Sequence, residues 1–202
     1  MAKKEHLDIL KQGVDEWNKW RDESPENRPD LHKAGLRNAD LIEADLSDAN
    51  LSGTDLRGAD LRDADLGGAN LNAADLSRAH LRGAELSDAD LNAADLRYAD
   101  LSRAFLYAAD LRGADFRWAN LRGANFLKAD LRDADFRWAN LYEAKVSAEQ
   151  LANCKFLFGA TMPDDTRYDG RFNLSSEIAF AREKGINTDD FEAMARWYAG
   201  DD

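Results

Sequence analysis

From Leu31 to Leu141 every fifth residue is large and apolar: 23 positions, of which 20 are Leu and three are Phe (Phe116, Phe126 and Phe136). Two residues before each next apolar position stands a small residue. From Ala34 to Ala144, 22 of these 23 are Ala, with Thr54 the exception. Between the small and the large residue lies Asp or Asn at 18 of 23 positions. The unit A-(D/N)-L-x-x runs without insertion or deletion. A period of five leaves no stripe on an α-helix, where successive leucines would step by about 140°. On a straight strand an odd period throws alternate leucines to opposite faces. The chain must therefore turn once per pentapeptide, with Leu and Ala inside and the Asp or Asn outside, holding a turn.

A longer recurrence sets the size of the coil. Arg117-Trp118-Ala119-Asn120 returns as Arg137-Trp138-Ala139-Asn140, and Leu71-Asn72-Ala73-Ala74-Asp75-Leu76 returns as Leu91-Asn92-Ala93-Ala94-Asp95-Leu96, both shifted by 20. Phe116, Phe136 and Phe156 share that spacing. Four pentapeptides per coil make a square solenoid, and coils about 4.8 Å apart give a rod on the order of 28 Å long. These residues resemble the pentapeptide-repeat family, with cyanobacterial members similar at the start and at the closing segment. The resemblance covers about residues 31–162 and implies an all-β solenoid, a right-handed quadrilateral parallel β-helix. It implies no enzymatic activity.

Both ends of such a rod need covers. Residues 1–30 read as an N-terminal capping helix and connector, with Leu7, Leu10, Val14 and Trp17 at helical spacing and Pro25 and Pro29 closing the element. The pattern degrades after Ala144. A short helical insertion is expected near 147–152, with Ser147 and Gln150 at capping-box spacing. Cys154 then stands at an Ala position and Phe156 at a Leu position. Residues 163–202 read as a C-terminal helical cap with two short helices, the first from Ser175 and the second after Thr188-Asp189-Asp190. Phe172, Ile178, Phe180, Phe191, Met194, Trp197 and Tyr198 are too apolar for a free appendage. They are expected to dock around Phe156, Phe158 and the Trp118/Trp138 column, within a monomer or across a homodimer joined at that end.

Composition narrows the function. A net charge of −12 over 202 residues opposes direct binding of nucleic acid and of anionic membranes. No apolar run approaches the roughly 20 residues of a membrane span, and charges break up the N-terminus, so a cytoplasmic location without signal peptide is expected. One cysteine and three histidines supply no metal constellation, and no cofactor or catalytic residue is expected. His80 reads as a surface variant of the Asp position, and Cys154 as a small core residue.

Stacking by 20 places Tyr98, Trp118 and Trp138 in one outward column, with Arg97, Arg117 and Arg137 beside it and Asp95, Asp115 and Asp135 along the same side. The column is covered by the chain's own tail, binds a partner, or faces solvent as part of an Arg–Asp ladder. Phe105, Tyr107 and Leu127 form a second apolar group on another side, open to the same alternatives. The leading expectation is a scaffold whose flat faces bind a protein partner. The alternative follows from the resemblance, because some family members imitate duplex DNA toward gyrase-type topoisomerases. Residues 31–145 carry 20 acidic and 15 basic groups, against about 16 charges on DNA of that length at one per roughly 1.7 Å. A mimic would use the acidic N-terminal half: Asp40, Glu43, Asp45, Asp48, Asp60, Asp63, Asp65, Glu85 and Asp88. The unbroken register lacks the projecting loop of the quinolone-protecting branch of that family.

Overall fold

The computed structural model describes residues 2–170, 172 and 174–199. From Asp30 to Lys145 the chain forms one parallel β-bridge per pentapeptide, each to the residue 20 positions on, as in Asp75 to Asp95 to Asp115. Within a unit the Ala94 N–H donates to the Leu91 carbonyl at 3.0 Å, closing a turn. The second central residue of these turns has φ near +60°, for example Glu43 (58°), Asp63 (55°) and Trp118 (63°). A positive φ at this one position is the geometry of a type II turn. Between coils, Leu91 N–H donates to Asp110 C=O at 2.8 Å and Asp95 N–H to Ala74 C=O at 2.9 Å. The recurrent Asp or Asn steadies the turn from outside: Asp75 Oδ1 accepts from Ser77 N–H at 3.0 Å, and Asp90 Oδ1 from Asn92 N–H at 2.9 Å.

Every repeat Leu and Phe, and nearly every repeat Ala, is buried. Phe116 and Phe136 stack at 4.8 Å in adjacent coils, and Phe126 meets both edge-on from the opposite wall. Thr54 fits the Ala column because its hydroxyl donates to the Leu31 carbonyl at 2.8 Å. The four sides are named here by four consecutive leucines: the Leu41, Leu46, Leu51 and Leu56 sides.

At the N-terminal end two helices replace the single one expected. Helix α1 spans Lys4–Leu10 and α2 spans Val14–Glu23. Gly13 at φ 118° breaks them apart, a conformation that a residue with a Cβ rarely adopts. Side chains of α2 stand in for the missing preceding coil. Trp17 Nε1 donates to the Asp45 carbonyl at 2.7 Å, Asn18 Oδ1 accepts from Asp45 N–H at 2.9 Å, and Asn18 Nδ2 donates to Glu43 C=O at 2.9 Å. Buried Arg21 ties Asp45, Ser47 and Asn27 together. On α1, His6 Nδ1 accepts from Asp30 N–H at 2.8 Å. Burial holds this imidazole below its ordinary pKa, in keeping with an acceptor nitrogen.

Near the other end, α3 (Ala148–Ala152) interrupts the bridges behind a complete Ser147/Gln150 capping box. Gln150 Nε2 donates to the carbonyls of Phe126 and Ala129, replacing a coil's backbone donors. Leu151 keeps the inward position. The bridges then resume one residue out of step, Asp135 to Phe156 and Asn140 to Thr161. This shift corrects the assignment of Phe156 to the core column. Cys154 is buried at the Ala position, but Leu157 enters the core while Phe156 stays half-exposed on the surface.

Helices α4 (Ser175–Glu183) and α5 (Phe191–Ala199) dock on that last coil of their own chain. Asp190 Oδ1 accepts from Ala193 N–H at 3.1 Å at the start of α5. Trp197 stacks on Phe158 at 4.4 Å, and Phe180 meets Phe156 at 6.1 Å. The Phe191 side chain, counted above among the apolar groups of the tail, lies outside the described residues. Buried Glu177 accepts the Leu157 N–H and, at 3.1 Å, the Tyr198 hydroxyl. Its carboxylate occupies the place of the carbonyl that a further coil would offer.

Candidate functional site

The Leu56 side carries an alternation of acids and guanidiniums. Each Arg reaches the Asp of its own coil and that of the next: Arg97 to Asp95 (2.5 Å) and Asp115 (3.7 Å), Arg117 to Asp115 (2.6 Å) and Asp135 (3.8 Å). Arg137 lies 2.6 Å from Asp135, with the Phe156 ring 4.3 Å away on its face. Lower on the same side, the hydrogen bond from Arg57 holds the Asp55 carboxyl down at about 2. At Asp95, burial is the largest influence and works to raise the pKa, but the side-chain and backbone hydrogen bonds of Arg97 together with the charges of Arg97 and Arg117 outweigh it, so the net direction is down.

Beside this ladder runs the aromatic column. Trp118 lies parallel to Trp138 at 5.1 Å and to Tyr98 at 6.4 Å. The three expected fates of the column divide along its length. Trp138 is half-buried, with Phe158 edge-on at 5.1 Å and the Arg167 guanidinium 5.6 Å from its ring. A Cβ at Gly159 would overlap its indole. Tyr98 and Trp118 stay open at 55% and 51% exposure, beyond the reach of the tail. All three rings stand on left-handed backbone, with φ of 61°, 63° and 62°. That conformation costs a bulky residue about 1–2 kcal/mol relative to the right-handed regions, and an aromatic pair returns only about 0.5–1.5 kcal/mol. Gly fills the equivalent turn position at Gly58 and Gly113. Stability by itself therefore gives little reason for rings here. The left-handed φ recurs at this turn position along the whole rod, so what sets Tyr98 and Trp118 apart is the exposure of large rings there.

On the Leu46 side, Phe105 and Leu127 are 48% and 46% exposed, and Tyr107 lies beneath the Lys128 ammonium at 4.9 Å. The acidic set divides between two adjoining sides. Asp40, Glu43, Asp60 and Asp63 lie on the Leu41 side, and Asp45, Asp48, Asp65, Glu85 and Asp88 on the Leu46 side. Two of these acids are engaged: Asp60 with Arg62 at 2.6 Å, and Asp45 with Arg21 at 3.1 Å. Asp65 and Glu85 accept backbone N–H groups of Gly67 and Ser87.

His80 is exposed, while burial pushes the Cys154 thiol well above its ordinary pKa, which opposes thiolate chemistry. Among the described residues no group of three or more His, Cys, Asp or Glu is arranged to hold a metal ion, and no helix is long and apolar enough to cross a membrane. Arg78, whose guanidinium lies 5.8 Å from the Tyr98 ring, was missed by the sequence argument. Extending the aromatic column one coil towards the N-terminus would have found it.

The profile of the pentapeptide repeats matches residues 34–72, 74–113 and 109–147 in eight copies. The chain belongs to the pentapeptide-repeat family. Its fold is the right-handed quadrilateral β-helix of that family. Among solved structures, this pentapeptide-repeat protein is similar to HetL of the cyanobacterium Nostoc sp. strain PCC 7120, which is involved in heterocyst differentiation regulation. The two are 39% identical over 68% of this chain and 69% of HetL, with a TM-score of 0.39. A pentapeptide-repeat protein of the Arabidopsis thaliana thylakoid lumen is 26% identical over 60% of this chain and 70% of its own, with a TM-score of 0.37. QnrB1, a plasmid-mediated fluoroquinolone resistance protein, is 17% identical over 77% of this chain and 96% of its own, at a TM-score of 0.42. No curated protein sequence matches.

Proposed function

We propose that this pentapeptide-repeat protein is a non-enzymatic scaffold that binds a protein partner through its Leu56 side. The observation that carries the reading is the open, parallel Tyr98–Trp118 pair, set beside Arg97 and Arg117. Aromatic and Arg side chains on a rigid, flat surface are the material of binding hot spots. The ion pairs hold the guanidiniums in position, so little conformational freedom is lost when a partner docks. Phe105, Tyr107 and Leu127 offer a second, smaller contact area, separated from the first by the thickness of the rod. The test is capture of interacting protein by the wild-type chain and by the Tyr98→Ala/Trp118→Ala double variant. Loss of about 2 kcal/mol or more is expected for the double variant. Phe105→Ala/Leu127→Ala should retain the same partner. Equal recovery by wild type and the Tyr98/Trp118 variant would sink the reading.

A second reading, imitation of duplex DNA toward a DNA-binding enzyme such as DNA gyrase, is favoured by one observation. Along Asp48, Asp65, Glu85 and Asp88 the Leu46 side bears no Lys or Arg of its own. The ion pairs of Asp45 and Asp60 weaken the likeness by neutralising two of the nine acids. This reading expects inhibition of supercoiling that fades with salt and disappears on charge reversal at Asp48, Asp65 and Asp88. Full supercoiling activity with excess protein at low salt excludes it.

A further inference from the structure

Next to Tyr98 the Leu56 side sinks into a depression of about 370 Å³. Its cause is visible down the columns. Gly58 stands between Asn38 and Arg78, and Ser77 between Arg57 and Arg97, so two small residues form a floor among long ones. Four guanidiniums ring it: Arg37, Arg57, Arg78 and Arg97. Arg57 and Arg97 are gripped side-on by Asp55 and Asp95 through Nε and Nη2, with no hydrogen bond at either Nη1 among the described residues. Arg37 and Arg78 have no carboxylate within ion-pair distance among the described residues. The acids facing this ring are Asp55, Asp75 and Asp95, with Asp115 shared between Arg97 and Arg117, so the positive charge left over is that of Arg37 and Arg78.

We propose that this depression takes a phosphorylated side chain of the protein partner, whose neighbouring apolar residue lies against Tyr98 and Trp118. Four arginines around one depression, two of them without an ion pair among the described residues, suit a compact, tetrahedral dianion with three terminal oxygens. A nucleic-acid strand would bring many more phosphates than this site has cations, against the charge of the whole molecule. The proposal rests on the reading of this side as a protein-binding surface.

Calorimetric titration of the full chain at low salt tests it with three probes: a capped peptide with one phosphoserine and a nearby leucine, its unphosphorylated form, and inorganic phosphate. The phosphopeptide should bind saturably and weaken with added salt. The unphosphorylated form should not bind measurably, and inorganic phosphate should compete weakly. Arg37→Gln/Arg78→Gln should lower phosphopeptide affinity by about tenfold or more, with an unchanged melting temperature. Arg132→Gln on the Leu51 side should have no effect on binding. Equal affinity for the two peptides, or unaltered affinity in the double variant, would overturn the proposal. So would inorganic phosphate binding as tightly as the phosphopeptide. Capture that depends on Tyr98 and Trp118 but not on Arg37 and Arg78 would overturn the phosphoryl site alone. Capture indifferent to the aromatics overturns the surface reading beneath it.

Discussion

A single position decides whether a residue of this chain faces oil or water. Leu91 is fully buried in the repeat core, while Ala93, two residues on, is exposed at φ 55°. Leu91→Asp should unfold the rod, because a carboxylate would enter a packed interior without a partner. Ala93→Asp should shift the melting temperature little, since Asp63 and Asp88 already occupy that turn position at φ 55° and 58°. Equal shifts would contradict the inward and outward assignment. Glu177 is the contrasting residue, an acid that is buried. Burial raises its carboxyl from 4.5 to about 7. The folded state therefore holds its proton more tightly than the unfolded state, and the C-terminal cap loses stability as pH rises from about 4.5 through 7. The whole effect is on the order of 3 kcal/mol. Glu177→Gln, which retains an acceptor for Leu157 N–H, should raise the melting temperature at pH 8 and flatten its pH dependence in that window. A wild-type melting temperature that climbs over the same window would contradict this.

At the scale of elements, the coils follow from the sequence almost completely, because the same five-residue decision is repeated more than twenty times. The ends do not. Asn18, Arg21, Gln150 and Glu177 each satisfy backbone groups that a further coil would otherwise pair. Gln150 was legible as the capping-box partner of Ser147, but its reach to the Phe126 and Ala129 carbonyls was not, and nothing in the neighbours' pattern distinguishes Asn18, Arg21 or Glu177 from ordinary polar residues on helix surfaces. The one-residue shift before Leu157 was hidden for a related reason: Phe156 and Leu157 are both apolar, and only the bridges decide which turns inward. The aromatic column was legible from the spacing of 20. Its partial cover was not, because that depends on the shifted last coil, which sets Phe158, Gly159 and Arg167 against Trp138. Arg21→Ala should cost about 2–3 kcal/mol by removing the ion pair of Asp45 and leaving the Asn27 and Ser47 carbonyls without their Arg21 donors, read as lowered stability of the N-terminal coils in hydrogen exchange. The caps also respond to pH in opposite senses. His6 is held below its unfolded value, so its contribution is present above about pH 6.5 and is lost on acidification, as Nδ1 takes a proton in place of the Asp30 N–H. Hydrogen exchange should show the N-terminal coils opening first in acid. The opposite order would refute the role given to His6.

Across the whole molecule the four sides differ in chemistry although they share one core. The acids of the DNA-like reading lie on the Leu41 and Leu46 sides, and the guanidiniums and rings of the partner-binding reading on the Leu56 side. Removing residues 170–202 separates cover from surface. Trp118 is already open, so its environment should change little, whereas Trp197 and Tyr198 are lost from Phe158 and the last coil end is bared. Self-association without loss of the β-helix circular-dichroism signal is the expected outcome. A truncated chain that stays monomeric at high concentration would contradict a role for the tail in covering that end.

The spacing of 20 has a further consequence. Since each coil repeats the last and each end is closed by side chains that touch only the adjacent coil, the chain is a ruler graduated in single coils. Excising residues 71–90 should leave a folded rod shorter by about 4.8 Å, with every side in its original orientation. The acids near Asp48 would then stand one graduation closer to Trp118. A partner that spans both marks would sense the missing step, while one that grips a single mark would bind as before.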